Sequence, residues 1–114
     1  MNKRSVGKYW EGRVADYLRM NGYTILFMNY RTRFAEIDIV AQDKEELVFI
    51  EVKYRKDVSS GDPLEAVTYS KQKKICNAAR IFLKEKGYNE EYTRIRFDVI
   101  GVLGDEIKHI TQAF

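Results

Sequence analysis

Apolar residues recur at Val6, Trp10, Val14, Tyr17 and Leu18. Steps of three and four predict a helix over Ser5–Asn21, with Gly22 as its stop signal. The pattern then changes. Tyr23–Tyr30, Phe34–Ala41 and Leu47–Tyr54 are rich in β-branched and aromatic residues. Short polar turns separate them, Arg31-Thr32-Arg33 and the run Gln42 to Glu46, so they read as three strands joined by hairpins. A polar loop, Arg55–Asp62, follows. Asp62 before Pro63 resembles an N-cap and a first-turn proline, which predicts helical character from there to Lys86, closed by Gly87. Ser70 is a second capping candidate inside that span, dividing it into a short turn and a longer helix. Tyr92–Leu103 and Glu106–Ile110 read as two more strands around a Gly104-Asp105 turn. The expected order is α-β-β-β-α-β-β, an α/β domain with a mixed central sheet flanked by helices. No repeat, linker or biased segment divides the chain, so residues 1–114 are expected to form a single domain.

Charged residues interrupt the strand pattern at two places. In Leu47–Tyr54, side chains two apart share a face, so Glu51 and Lys53 continue the apolar row of Leu47 and Phe49. In Phe34–Ala41, Glu36 and Asp38 share a face with Phe34 and Val40, and Ala35, Ile37, Ile39 and Ala41 take the other. If Asp43–Glu46 forms a four-residue loop, Asp38 lies opposite Glu51 and Glu36 opposite Lys53, about 5 Å apart at Cβ. A tighter turn keeps all four groups on one face. Facing like charges need an offset. A hard divalent cation, Mg²⁺ or Mn²⁺, suits two carboxylates with open positions. Lys53, one pleat along, is placed to act on an attacking water or on charge developing at a phosphate. The plainer account is a salt-bridge cluster, with Glu36 on Lys53 and Asp38 on an arginine. A third carboxylate favours the site. Glu11 falls within the apolar stripe of the first helix, with Gly7, Val14, Ala15 and Leu18 as its neighbours on the wheel.

Composition adds bounds. The residues are 45% hydrophobic and 13% aromatic with a single proline, which argues against disorder. The formal charge of +3 permits a nucleic-acid partner without requiring one. A lone cysteine, Cys76, forms no internal disulfide and fits a reducing cytoplasm, the expected location. The N-terminal stretch has no apolar core of the kind a signal peptide needs, and no run is long enough to span a bilayer, so no membrane association is expected.

A helix Glu, an Asp on one strand and Glu-x-Lys on the next resemble the PD-(D/E)xK nuclease superfamily. The whole chain is more closely similar to the YraN family of uncharacterised bacterial proteins. The matching stretches are GKYWEGRVADYL, NYRTRFAEIDIVA, FIEVKYR, the SKQKK helix, RFDVIGV and the terminal AF. Ala35 stands where that family usually has Gly, and Ile37 where the superfamily name implies Pro. The resemblance implies a restriction-endonuclease-like fold similar to that of archaeal Holliday-junction resolvases. It implies Asp38 and Glu51 as metal ligands, Lys53 as the catalytic lysine and Glu11 as the helix carboxylate assisting metal or water. Glu36 matches the family's GEID motif.

Arg31, Arg33, Arg55 and Lys71 surround these positions in sequence and are placed to hold a phosphate backbone, Lys71 matching a lysine of the family. Asp98 is expected to pair with Arg94 or Arg96, His109 to be structural and Cys76 to be packed. The expected function is a metal-dependent endonuclease on nucleic acid, DNA foremost, including branched DNA. The alternatives are a binding module that has lost catalysis and a protein-interaction domain with an ion-pair network. Small nucleases of this fold often address two strands as dimers, which makes a homodimer an expected state.

Overall fold

The computed structural model describes residues 3–57, 59, 61–63 and 67–114, with side chains from Val6 onward. The elements are α1 (Lys3–Met20), β1 (Thr24–Arg31), β2 (Glu36–Asp43), β3 (Glu46–Arg55), α2 (Tyr69–Glu85), β4 (Ile95–Leu103) and β5 (Glu106–Ile110). They form one five-stranded sheet in the order β1-β2-β3-β4-β5. Only β3 and β4 run parallel, because α2 carries the chain back between them; the other neighbours are antiparallel. This is the α/β architecture with a mixed sheet and two helices that the periodicity predicts. Among the described residues no helix is long and apolar enough to cross a membrane.

Each face of the sheet carries one helix. Val14, Ala15 and Leu18 of α1 pack on Ile39, Ala41, Val48, Ile50, Ile100 and Val102. Ala78, Ala79, Phe82 and Leu83 of α2 pack on Val40, Leu47 and Phe49 from the other side. Phe82 centres an aromatic cluster, with the rings of Phe27, Tyr30, Phe49 and Tyr88 at 5.1–6.0 Å. Fully burying a ring of this size contributes about 1.5–3 kcal/mol. Phe114 stacks on Phe97, which stacks on Phe49, so the terminal Phe completes this row.

Two boundaries differ from expectation. The second helix begins at Tyr69, and Thr68 rather than Asp62 or Ser70 is its N-cap: the Thr68 hydroxyl accepts from the Lys71 N–H at 3.2 Å. Residues 64–66 of the expected helical start lie outside the described residues. The fourth strand starts at Ile95, because Asn89 turns the preceding segment: its carbonyl accepts from Thr93 N and its Oδ1 from Glu91 N.

The faces of β2 also differ. Ile37 and Ala35 pack in the α2 cluster, whereas Ile39 and Ala41 pack in the α1 cluster. On β1, Phe27 and Tyr30 meet although they are three apart. Asn29 between them has φ 57°. Left-handed backbone in mid-strand breaks the period of two, and the break falls beside Asp38.

The buried Asp98 is the hub of a polar clip on the α1 side. Arg96 donates to both of its oxygens (2.8 and 2.9 Å), Gln112 N–H to Oδ1 and His109 Nε2 to Oδ2 (2.7 Å). Arg96 also bridges to Asp43, Glu46 and the Tyr23 hydroxyl, and His109 reaches Tyr17. Arg94 takes no part and pairs with Glu45 instead. Burial pushes the Asp98 carboxyl up, but the bonds from His109 and Arg96 outweigh it and hold it below 3.8. A depressed carboxyl contributes stability above its unfolded value that is lost as pH falls through its folded one. Asp98→Asn is therefore expected to cost about 1.5–3 kcal/mol at neutral pH. The loss should shrink as wild type and variant converge in melts below pH 3.8.

Candidate active site

The β2–β3 hairpin is closed by Lys44-Glu45, with Asp43 paired to Glu46. This turn is nested inside the expected four-residue loop and has the same centre, so the register is the expected one. The ladder ends at Ile39–Ile50. Beyond it the Asp38 carboxylate takes over the role of a β2 backbone carbonyl: Oδ2 accepts from Val52 N–H at 2.7 Å. This bond fixes Asp38 beside Glu51.

Asp38, Glu51 and Lys53 line one cavity of 490 Å³ with Phe34, Ala35, Glu36, Val52, Thr68, Ser70, Lys71 and Lys74. Its floor is the point where β2 and β3 part, and the first turn of α2 forms a wall. Glu51 is 5% exposed. Its Oε1 meets Lys53 Nζ at 3.4 Å and Lys71 Nζ at 3.2 Å, while its Oε2 is sealed from water without a donor. Burial, and then the Glu51 charge, push the Asp38 carboxyl up to about 8, against the Val52 bond that lowers it. Lys53 is lowered, by burial first and then by its hydrogen bond with Lys71. Burial also depresses Lys71, but the bond to Lys53 and the Glu51 charge outweigh it, leaving Lys71 raised.

Glu11 faces a second cavity of 390 Å³, lined by Gly7, Lys8, Asn29, Arg31 and Glu36 as well. Glu36 borders both cavities. With its nitrogen toward the carboxylates, the Asn29 amide donates to Glu36 Oε1 (2.8 Å) and Glu11 Oε1 (3.0 Å). Burial raises the Glu11 carboxyl, Asn29 lowers it, and Glu36 and Glu51 raise it further. Glu11 is thus within electrostatic reach of the Asp38–Glu51 pair while belonging to the neighbouring pocket.

Other expected placements are corrected. Glu36 does not meet Lys53; it pairs with Arg31 at 3.5 Å on the α1 side, since its neighbour Ile37 takes the α2 face. Arg33 lies over the Phe34 ring at 5.0 Å. Arg55 does not line either cavity. It is half-buried at the end of β3, donates to the Tyr54 carbonyl and leaves Nε without a partner. Lys71, by contrast, stands in the site as the sequence placed it, with Nζ 3.2 Å from Glu51 Oε1. Cys76, half-buried on α2, lies outside the cavity.

Asn29 is the residue the periodicity did not single out. Asn tolerates the left-handed region better than most residues, which is the one local signal available. Asn29→Gly keeps the backbone and loses the amide; Asn29→Ala loses both. Thermal melts are expected to place the Ala variant about 1 kcal/mol below the Gly variant.

Two hard carboxylates, one with an orphaned oxygen, fit a cation that keeps several waters, as Mg²⁺ does. Among the described residues no group of three or more His, Cys, Asp or Glu side chains forms a closed cage.

Residues 10–102 match the model of a family described as Uncharacterised protein family UPF0102. A UPF0102 protein of Lachnoclostridium phytofermentans is 47% identical over 114 residues, covering 100% of this chain and 96% of its own. One from Clostridioides difficile is 40% identical over 116 residues, covering all of both chains. One from Desulforapulum autotrophicum is 49% identical over 100 residues, covering 88% of this chain and 81% of its own.

Proposed function

The chain belongs to the uncharacterised protein family UPF0102, and we propose that it is a metal-dependent phosphodiesterase of restriction-endonuclease-like fold acting on nucleic acid. The observation that carries this reading is the pairing of Asp38 with a buried Glu51 whose Oε2 has no donor, beside a lysine of lowered basicity. A structural ion pair satisfies its oxygens. Here one buried Glu51 oxygen has no cationic partner, and a second carboxyl, raised by burial and by the Glu51 charge, lies against it.

Asp38 and Glu51 would hold Mg²⁺ or Mn²⁺. When bound, the cation supplies Lewis-acid polarisation of a phosphoryl oxygen and lowers the pKa of a water. Lys53 sits on the same strand face one pleat away, half-buried and disposed to lose its proton, and so takes a proton from the attacking water. Lys71, held protonated by Glu51 and Lys53, keeps positive charge where a phosphate oxygen gains negative charge. Lys74 on the same wall adds a second cation for the backbone.

The two lysines on Glu51 Oε1 also favour a second reading, an ion-pair network in a binding module without turnover. One experiment separates the two. Labelled single-stranded, duplex, flap and four-way DNA and RNA are incubated with Mg²⁺ or Mn²⁺, using wild type and Asp38→Asn. Metal-dependent cleavage by wild type that Asp38→Asn lacks supports the nuclease. Binding without cleavage across the panel supports the module.

A further inference from the structure

We infer that Phe34 is a stacking platform for an unpaired base, so that the nucleic acid taken by this site has a single-stranded nucleotide beside the phosphate over Asp38 and Glu51. The inference rests on the nucleic-acid reading of the cavity and narrows it to a substrate class. Phe34 is 39% exposed at the tip of the β1–β2 hairpin and lines the same cavity as the two carboxylates. Turn tips favour small or polar residues, so an apolar ring there needs a reason. The backbone that carries it is braced. The Thr32 hydroxyl accepts from Phe34 N–H (3.1 Å) and Ala35 N–H (3.2 Å) and donates to the Ala35 carbonyl (2.9 Å), and Thr32 N–H donates to that same carbonyl. The ring is therefore presented on a rigid support rather than on a floppy loop.

Among the described residues no other aromatic ring packs on Phe34, while the Arg33 guanidinium lies 5.0 Å from its centroid. With the guanidinium over one face of the ring, a base stacks on the opposite face or takes the guanidinium's place, and Arg33 supplies a phosphate partner beside it. A second such pair stands at the start of α2: Tyr69 is 71% exposed, with Lys73 Nζ at 5.2 Å from its centroid, between the cavity residues Thr68 and Ser70. A base inside a duplex has both faces covered by its neighbours. Away from a duplex end, only an unpaired or extruded base has a face to give Phe34, and extrusion costs least where pairing is already absent.

The test is equilibrium binding in metal-free, chelator-containing buffer at low salt. The probes are a fluorescein-labelled oligothymidylate of about 16 nucleotides and a blunt duplex of the same length. Phe34→Ala is expected to weaken single-strand binding about tenfold, within the roughly 5- to 150-fold range of one lost stacking contact. Duplex binding and the salt slope should stay unchanged, because the phosphate contacts remain. Phe34→Tyr keeps the ring and should bind the single strand as wild type does, which separates stacking from damage to the turn. Unchanged single-strand binding by Phe34→Ala, or equal losses on both probes, would overturn the inference. Cleavage is scored separately with Mn²⁺. A wild type that cleaves while Phe34→Ala binds normally removes the platform and leaves the nuclease. A Phe34-dependent single-strand preference without cleavage leaves the platform and removes the nuclease. No binding of either probe by wild type overturns both.

Discussion

Replacing Lys53 by alanine is expected to slow single-turnover cleavage by about 10²–10⁴-fold while leaving the fold and nucleic-acid binding in place. The geometry makes this separation measurable. Lys53 does not pair with Glu36; it shares Glu51 Oε1 with Lys71. Removing it leaves Glu51 with the Lys71 ammonium 3.2 Å away, so no buried carboxylate is stranded. The melting temperature should therefore move little, whereas removing the sole partner of a buried charge costs about 3–5 kcal/mol. The pH profile reports the role. Burial and Lys71 lower the Lys53 amine. If it acts as a base, the rate rises with pH as it loses its proton, and that limb vanishes in Lys53→Ala. If it acts as a cation, the rate falls over the same interval. A Lys53→Ala protein that melts as wild type and cleaves at the wild-type rate would remove Lys53 from the chemistry.

The fold was legible because its two periods are clean. Steps of three and four place Val14 and Leu18 in the core, and alternation places Leu47 and Phe49 on one face. The meeting of Asp38 with Glu51 followed from parity and from a hairpin whose centre tolerates either turn length. What parity could not give is a change of parity. Asn29 at φ 57° carries Tyr30 back to the face of Phe27, and Ile37 follows it away from Ile39. Glu36 lies beyond that change of face, where it pairs with Arg31 and meets the Asn29 amide. The start of α2 was missed for a different reason. Asp62-Pro63 and Thr68 both carry helix-start chemistry, and only packing chooses between them. Lys71 was placed at the site without that start being known. With Tyr69 as the first helical residue, Lys71 faces Glu51.

The described residues hold two aspartates of opposite character, and the contrast says where the fold is under tension. Asp98 is surrounded by donors, Arg96, His109 and the Gln112 N–H, and is held ionised. Asp38 has one donor, Val52 N–H, and faces Glu51. The first is built for stability. The second is built against it, as expected where a group is kept ready for a ligand that the chain itself does not supply.

Asp38→Asn is accordingly expected to raise the melting temperature of the metal-free protein at pH 7–8. The sign follows from linkage. Burial and the Glu51 charge raise the folded Asp38 carboxyl to about 8 from 3.8. Between those values the folded state binds more protons than the unfolded one, so wild-type stability falls as pH rises through the interval. Asn carries no such charge, and its Oδ1 still accepts from Val52 N–H, so the variant escapes the loss. A gain on the order of 2 kcal/mol corresponds to about 5–10 °C for a domain of this size. Below pH 4 the two proteins should converge. Mn²⁺ reverses the order. A cation between Asp38 and Glu51 binds the folded state alone and stabilises wild type by RT ln(1 + [L]/Kd), about 2.7 kcal/mol at a hundred times Kd. It should leave Asp38→Asn almost unmoved. Because the cation displaces the proton held on the pair, its apparent affinity should rise with pH up to about 8. Melts in chelator and in Mn²⁺ at pH 5, 7 and 8.5 measure all of this on two proteins. Equal Mn²⁺ shifts in wild type and variant would remove the cation from this site, and a variant that melts below wild type in chelator would remove the tension that points to it.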